Sequence, residues 1–137
     1  QEWHIGQAPF RKLLHEVLAP AGVPLMIPAE MGFTAIGDMA AEIPNPVIVE
    51  SFRYASLAEA LVVMQEVPNV FVETHMINSP NWVELLKAEV GVERIIYGSN
   101  APLSYIAAAT AQIEYAQVSE ADKALIFGGN LRRILGV

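Results

Sequence analysis

At 137 residues, with 53% apolar content and no cysteine, the chain has the length and composition of one domain with its own core, and it holds neither a disulfide framework nor a thiolate metal site. Fifteen acidic residues against eight basic ones give a net charge of −7, which repels phosphate backbones and anionic membrane surfaces and argues against nucleic-acid and membrane partners. Residues 95–113 carry no charge, but Gly98, Asn100 and Pro102 interrupt them, so no membrane span is read, and the lack of cysteine leans toward a cytoplasmic protein.

The chain begins at Gln1 without a signal segment, which leads to the expectation of a longer natural protein. Pro9 opens a helix in which Phe10, Leu13, Leu14, Val17 and Leu18 form one apolar stripe, and Gly22 ends it. Residues 23–27 follow as a buried strand. Residues 33–43 read as a weaker amphipathic helix stopped by Pro44, and residues 47–50 as the second strand. Ser56 and Glu59 have the spacing of a capping box at the head of a helix that Pro68 ends, and residues 70–74 form the third strand. Ser79 and Pro80 suit the N-cap and first turn of a helix running to Val90, and Arg94 opens a fourth strand over residues 94–97. The remainder is helical: Ile106, Ala109 and Ile113 line one helix, Ser119 and Asp122 cap another, and Asn130 caps the last turn before Gly136.

A strand recurs roughly every 23 residues with a helix between, the alternation that builds a parallel sheet through right-handed crossovers. The fold class is therefore α/β, in a single domain of four strand–helix units plus C-terminal helices. The stretch Gly91 to Pro102, G-V-E-R-I-I-Y-G-S-N-A-P, joins the fourth strand to a sharp exit turn. It resembles the pattern G-x-x-R-h-h-h-G-S-D-x-P, with h apolar, of the amidohydrolase superfamily, in its branch of decarboxylases, lactonases and other metal-dependent hydrolases. The terminal I-F-G-G-N-L-R-R-I-L-G is similar to that family's closing helix. The resemblance implies parallel units forming the C-terminal half of a TIM-like barrel, with functional groups at the C-terminal strand ends.

It also implies metal-ligand positions. The family closes its fifth and sixth strands with His and its eighth with Asp. Those positions are Pro28, Ser51 and Asn100 here, a residue without a side-chain donor and two neutral ones. No metal site is therefore expected in this segment, and a zinc or manganese ion enters only if the missing half supplies ligands. The catalytic candidates are His75 and Glu50, as acid or base, and Asn100, orienting the substrate. Glu30, Ser51, Arg53 and Glu73 are candidates for substrate binding. The alternative is that Glu50 pairs with Arg53 and the other charged groups are solvated loop residues. His4 and His15 read as surface or packing residues, and Trp3 and Trp82 as packing.

Two functions follow from the resemblance: a hydrolase-type or decarboxylase-like enzyme acting on a small carboxylated or cyclic substrate, or a non-catalytic relative used as a binding or scaffold module. No nucleotide-binding or serine-hydrolase motif is present. Half a barrel leaves its first and fourth strands with unpaired edges, so the chain is expected to associate with the missing half or to form a homo-oligomer.

Overall fold

The computed structural model describes residues 4–137, and Trp3 lies outside that range. Four strands, β1 (Leu25–Pro28), β2 (Val47–Glu50), β3 (Val70–Glu73) and β4 (Ile95–Ile96), form one parallel sheet in the order β1-β2-β3-β4. Helices α2 (Phe33–Ala41), α3 (Leu57–Glu66) and α4 (Trp82–Val90) cross between them. A first helix, α1, runs over residues 8–21 and widens into a π turn at Leu14–Leu18, ahead of Pro20 with its missing N–H donor. Gly22, in the left-handed region at φ 67°, ends it. After β4 come α5 (Ile106–Glu114), α6 (Glu120–Ala124) and α7 (Asn130–Leu135), the last two joined by a wide turn at Leu125–Gly129.

Alternation along the strands divides the apolar residues between two faces. Leu25, Ile27, Val47, Val49, Val70, Val72 and Ile95 belong to the main core, which also takes in Phe33, Ile36, Met64, Leu86, Ile113 and Ile126. Phe33 and Phe52 meet edge to face there at 5.6 Å. Ile48, Phe71 and Ile96 form a smaller cluster against Leu131 and Ile134 of α7. The last helix thus covers part of the second sheet face, which would be the interior of a closed barrel. Met26, in register with Ile48, is left 58% exposed.

Polar side chains fasten the N-terminal ends of the strands. Asn45 Nδ2 donates to the Leu18 and Val23 carbonyls, and Asn69 Nδ2 to those of Ala40, Ile43 and Asn45, all within 2.9–3.0 Å. The Arg94 guanidinium donates to the Val70, Met64 and Val67 carbonyls at 2.6–2.9 Å, and burial pushes its pKa down. Each of these residues precedes a strand by one or two positions and satisfies the backbone of the helix-to-strand loops.

Several expected local features differ. The first strand begins at Leu25 rather than residue 23, the third stops at Glu73 and the fourth is only Ile95–Ile96, because the Tyr97 N–H turns to the Ile126 carbonyl at 3.0 Å. Ser56 makes no cap, since Glu59 bonds instead to the Thr34 backbone N–H at 2.9 Å and its hydroxyl at 2.6 Å. Helix α4 starts at Trp82 behind Asn81, which is left-handed at φ 56°, so Ser79 and Pro80 lie in the preceding loop. Asn130 is no cap either: it lies in α7, fully buried, donating to the Val92 and Ile95 carbonyls at 2.8 Å each. The Ser119 and Asp122 capping box is present, and Lys87 and Ser119 hold the Asp122 carboxyl well below its ordinary value, at about 2.

Candidate functional site

The C-terminal strand ends carry the polar groups. Glu50 closes β2 and Glu73 closes β3, with their side chains on the same face as Ile48 and Phe71 by strand alternation. His75 follows two residues after Glu73. Together with Asn100, Tyr97 and Gly98 they line a cavity of about 250 Å³ whose apolar wall is Met26, Ile48, Ile96 and Leu131. A larger groove of about 440 Å³ lies on the outer wall beside Trp82, Gln112 and Tyr115, away from the strand ends. Glu50, Glu73 and His75 line the smaller one.

Glu73 is buried, and both of its oxygens face His75. Oε1 accepts from the His75 backbone N–H at 2.9 Å, and Oε2 lies against His75 Nδ1. The two side chains are 7% and 9% exposed, so this carboxylate–imidazole pair is held away from bulk water. Next to it, Thr74 Oγ1 accepts from the Gly98 N–H at 3.0 Å and donates to the Gly98 carbonyl at 3.2 Å. These bonds tie the end of β3 to the exit of β4. The Tyr97 hydroxyl pairs with Thr110 Oγ1 of α5 at 2.9 Å.

Other candidates are not gathered here. Glu30 sits on a short turn at Ala29–Met31, Arg53 is exposed, and neither they nor Ser51 line the cavity. Ser51 has a left-handed backbone at φ 57°. Glu50 and Arg53 form no ion pair among the described residues. Elsewhere, Trp82 is buried with Nε1 donating to Gln112 Oε1 at 3.0 Å, and His15 Nε2 lies 3.0 Å from Glu42 on the surface. Sequence reasoning passed over Tyr97, Gly98 and Thr74. No local pattern marks them, because their roles come from bonds between residues 13 to 24 apart in sequence.

The amidohydrolase family model matches residues 2–137, almost the whole chain. The chain belongs to the amidohydrolase family. No curated protein matches it by sequence. Its fold is similar to that of 2,6-dihydroxybenzoate decarboxylase complexed with 2,6-dihydroxybenzoate, with a TM-score of 0.68 and 15% identity over 100% of this chain and 58% of that one. The 2,6-dihydroxybenzoate decarboxylase from Rhizobium gives 0.67 and 15% over 99% and 58%. A dihydroxybenzoic acid decarboxylase from Polaromonas sp. JS666, with bound manganese and the inhibitor 2-nitroresorcinol, gives 0.55 and 17% over 79% and 39%. At these identities the likeness is one of fold: four parallel strands with alternating helices match part of a TIM barrel. This amidohydrolase chain spans 58% of the length of the first two neighbours.

At two of the positions that the resemblance implies as metal ligands, the residues are poor donors for a divalent ion. Pro28 has no side-chain donor, and Asn100, left-handed at φ 53°, turns its amide Nδ2 toward Ser104 Oγ at 3.3 Å. Among the described residues, no group of three or more His, Asp or Glu side chains is placed to hold a metal. Nor, among them, is any helix long and apolar enough to cross a membrane.

Proposed function

We propose that this chain is the C-terminal half of an amidohydrolase barrel, acting as a hydrolase or decarboxylase-like enzyme on a small carboxylated or cyclic substrate in the cavity at the strand ends. The observation that carries the reading is the buried Glu73–His75 pair at a cavity of about 250 Å³ with an apolar wall. A dry apolar cavity on the order of 150 Å³ accommodates a benzene ring, so the size suits a single substituted ring. His75 is the proton carrier. In hydrolysis Nε2 takes the proton of the attacking water and returns it to the leaving group; in decarboxylation Nε2 first takes up a proton from water or a substrate hydroxyl and then delivers it to the carbon that loses CO₂. Glu50 provides a second carboxylate across the cavity, and Asn100 orients the substrate through its amide. No step is routed through a metal: zinc or manganese takes part only if residues beyond this segment supply its ligands.

The test is a panel of ring carboxylates, 2,6-dihydroxybenzoate included, with lactones and cyclic amides, assayed for CO₂ release and for ring opening. Turnover of one member is expected. Binding without turnover of any member would favour the second reading, a non-catalytic relative serving as a binding or scaffold module. The engagement of Asn100 with Ser104 within its own loop is the observation that favours it.

We also propose that the sheet is completed by the remaining half-barrel or by a second copy of this chain, because β1 and β4 are its outer strands and Met26 is exposed beside the β1 edge. Equilibrium sedimentation of these 137 residues at low micromolar concentration is expected to show association. A compact monomer with no concentration dependence would show that the chain closes its own edges.

A further inference from the structure

We infer that Glu73 is a positioning residue: seated over Gly98, its carboxylate fixes His75 as the tautomer protonated on Nδ1 and so presents a bare Nε2 to the cavity. This assigns Glu73 to the histidine rather than to the substrate. Both oxygens are already committed, Oε1 to the His75 backbone N–H and Oε2 to Nδ1. An ionised carboxylate only accepts, so the partner nitrogen must carry the proton, and a neutral imidazole then has its lone pair on Nε2.

Gly98 makes this arrangement possible. A Cβ built on it would overlap the Glu73 Oε1 atom and crowd the rest of the carboxyl, so the carboxylate occupies the space that any other residue's side chain would fill. The Thr74 clamp holds Gly98 in place by bonding to both its N–H and its carbonyl, and the Thr74 N–H donates to the Ile96 carbonyl at 3.1 Å. Three consecutive residues thereby divide the work: Glu73 aims the ring, Thr74 locks the seat and His75 faces the ligand. A base held in one tautomer by a buried carboxylate needs no reorientation when the substrate arrives.

The inference rests on the reading of His75 as the acid–base group, but its test uses neither substrate nor turnover, so the two can fail separately. Long-range proton–nitrogen correlation spectra of ¹⁵N-labelled protein at about pH 8, where an ordinary imidazole is neutral, report the tautomer of each histidine. The His75 signal is assigned by its loss in His75→Ala, and the exposed His4 and His15 serve as internal references. In the wild type, His75 is expected in the Nδ1–H form. Glu73→Gln keeps the shape but has a single acceptor oxygen. With that oxygen held by the backbone N–H, its NH₂ group donates to Nδ1, and the dominant tautomer is expected to switch to Nε2–H. Gly98→Ala, which displaces the carboxylate by a different route, is expected to shift His75 toward the same Nε2–H form. A wild-type His75 already in the Nε2–H form, or an Nδ1–H form unchanged in both variants, would overturn the inference. A purely structural Glu73 would lower the melting temperature and leave the tautomer alone.

Discussion

Replacing Arg94 with methionine is expected to destabilise the fold by about 3–5 kcal/mol, roughly the sum for stripping the donor from three part-buried acceptors at once. Among the described residues, Arg94 alone bonds the Met64, Val67 and Val70 carbonyls through its side chain where α3 turns into β3, and its guanidinium also lies 5.7 Å from the Phe71 ring centroid. Methionine refills the volume of the stem but offers no donor, so the loss comes from the carbonyls rather than from a cavity. For a chain of this length the change corresponds to roughly 10–15 °C in melting temperature. Arg94→Lys should fall between, since an ammonium cannot span three acceptors with the fixed geometry of the guanidinium. Thermal and urea unfolding measure both. A methionine variant within about 1 kcal/mol of wild type would mean that the guanidinium is dispensable to the loop.

This arginine, a residue of the motif, sits at a strand start and bonds the loop there, and it does not line the cavity at the strand ends. In barrels of parallel strands the N-terminal ends carry stability and the C-terminal ends carry function. Here Asn45, Asn69 and Arg94 tie down the first kind of end, while Glu50, Glu73, His75 and Asn100 line the cavity at the second. The division could be read in part beforehand. Short apolar runs spaced by helix-length segments placed all four parallel strands in order, because strands buried on both faces leave that signature. The sequences N-P-V-I-V and P-N-V-F-V, each with an asparagine just ahead of a strand, carried the fastening pattern, but a lone asparagine before a strand looks the same as a turn residue.

What was not legible depended on contacts distant in sequence. Glu59 has the spacing of a capping-box partner for Ser56, yet Thr34, 25 residues away on α2, offers it two donors and takes it. Asn130 has the composition of a cap, but its bonds reach back 35 and 38 residues to Ile95 and Val92. At the site, Glu30 follows β1 by two residues, as His75 follows β3, and Arg53 follows β2 by three, so sequence distance alone could not separate them. The turns decide: Glu30 enters a short helical turn, and left-handed Ser51 redirects the chain before Arg53, whereas His75 keeps the face of the strand it leaves. The seating of Glu73 on Gly98 joins two strand ends, so neither local pattern announced it.

The second large effect is on turnover. With His75 as the proposed proton carrier, His75→Ala removes the group that moves the proton, and general acid–base groups contribute roughly 10²–10⁴-fold. The loss should fall on kcat, because the apolar cavity wall of Met26, Ile48, Ile96 and Leu131 proposed to hold the ring is untouched. His15→Ala, at a surface contact with Glu42, serves as the matched control and should leave turnover unchanged. The deciding measurement is kcat of the wild type, His75→Ala and His15→Ala on whichever panel member is turned over, with unfolding curves confirming that all three are folded. A drop of about 10²-fold or more confined to His75→Ala is the expected result. A His75→Ala enzyme within about threefold of wild type would show that the chemistry does not pass through this histidine.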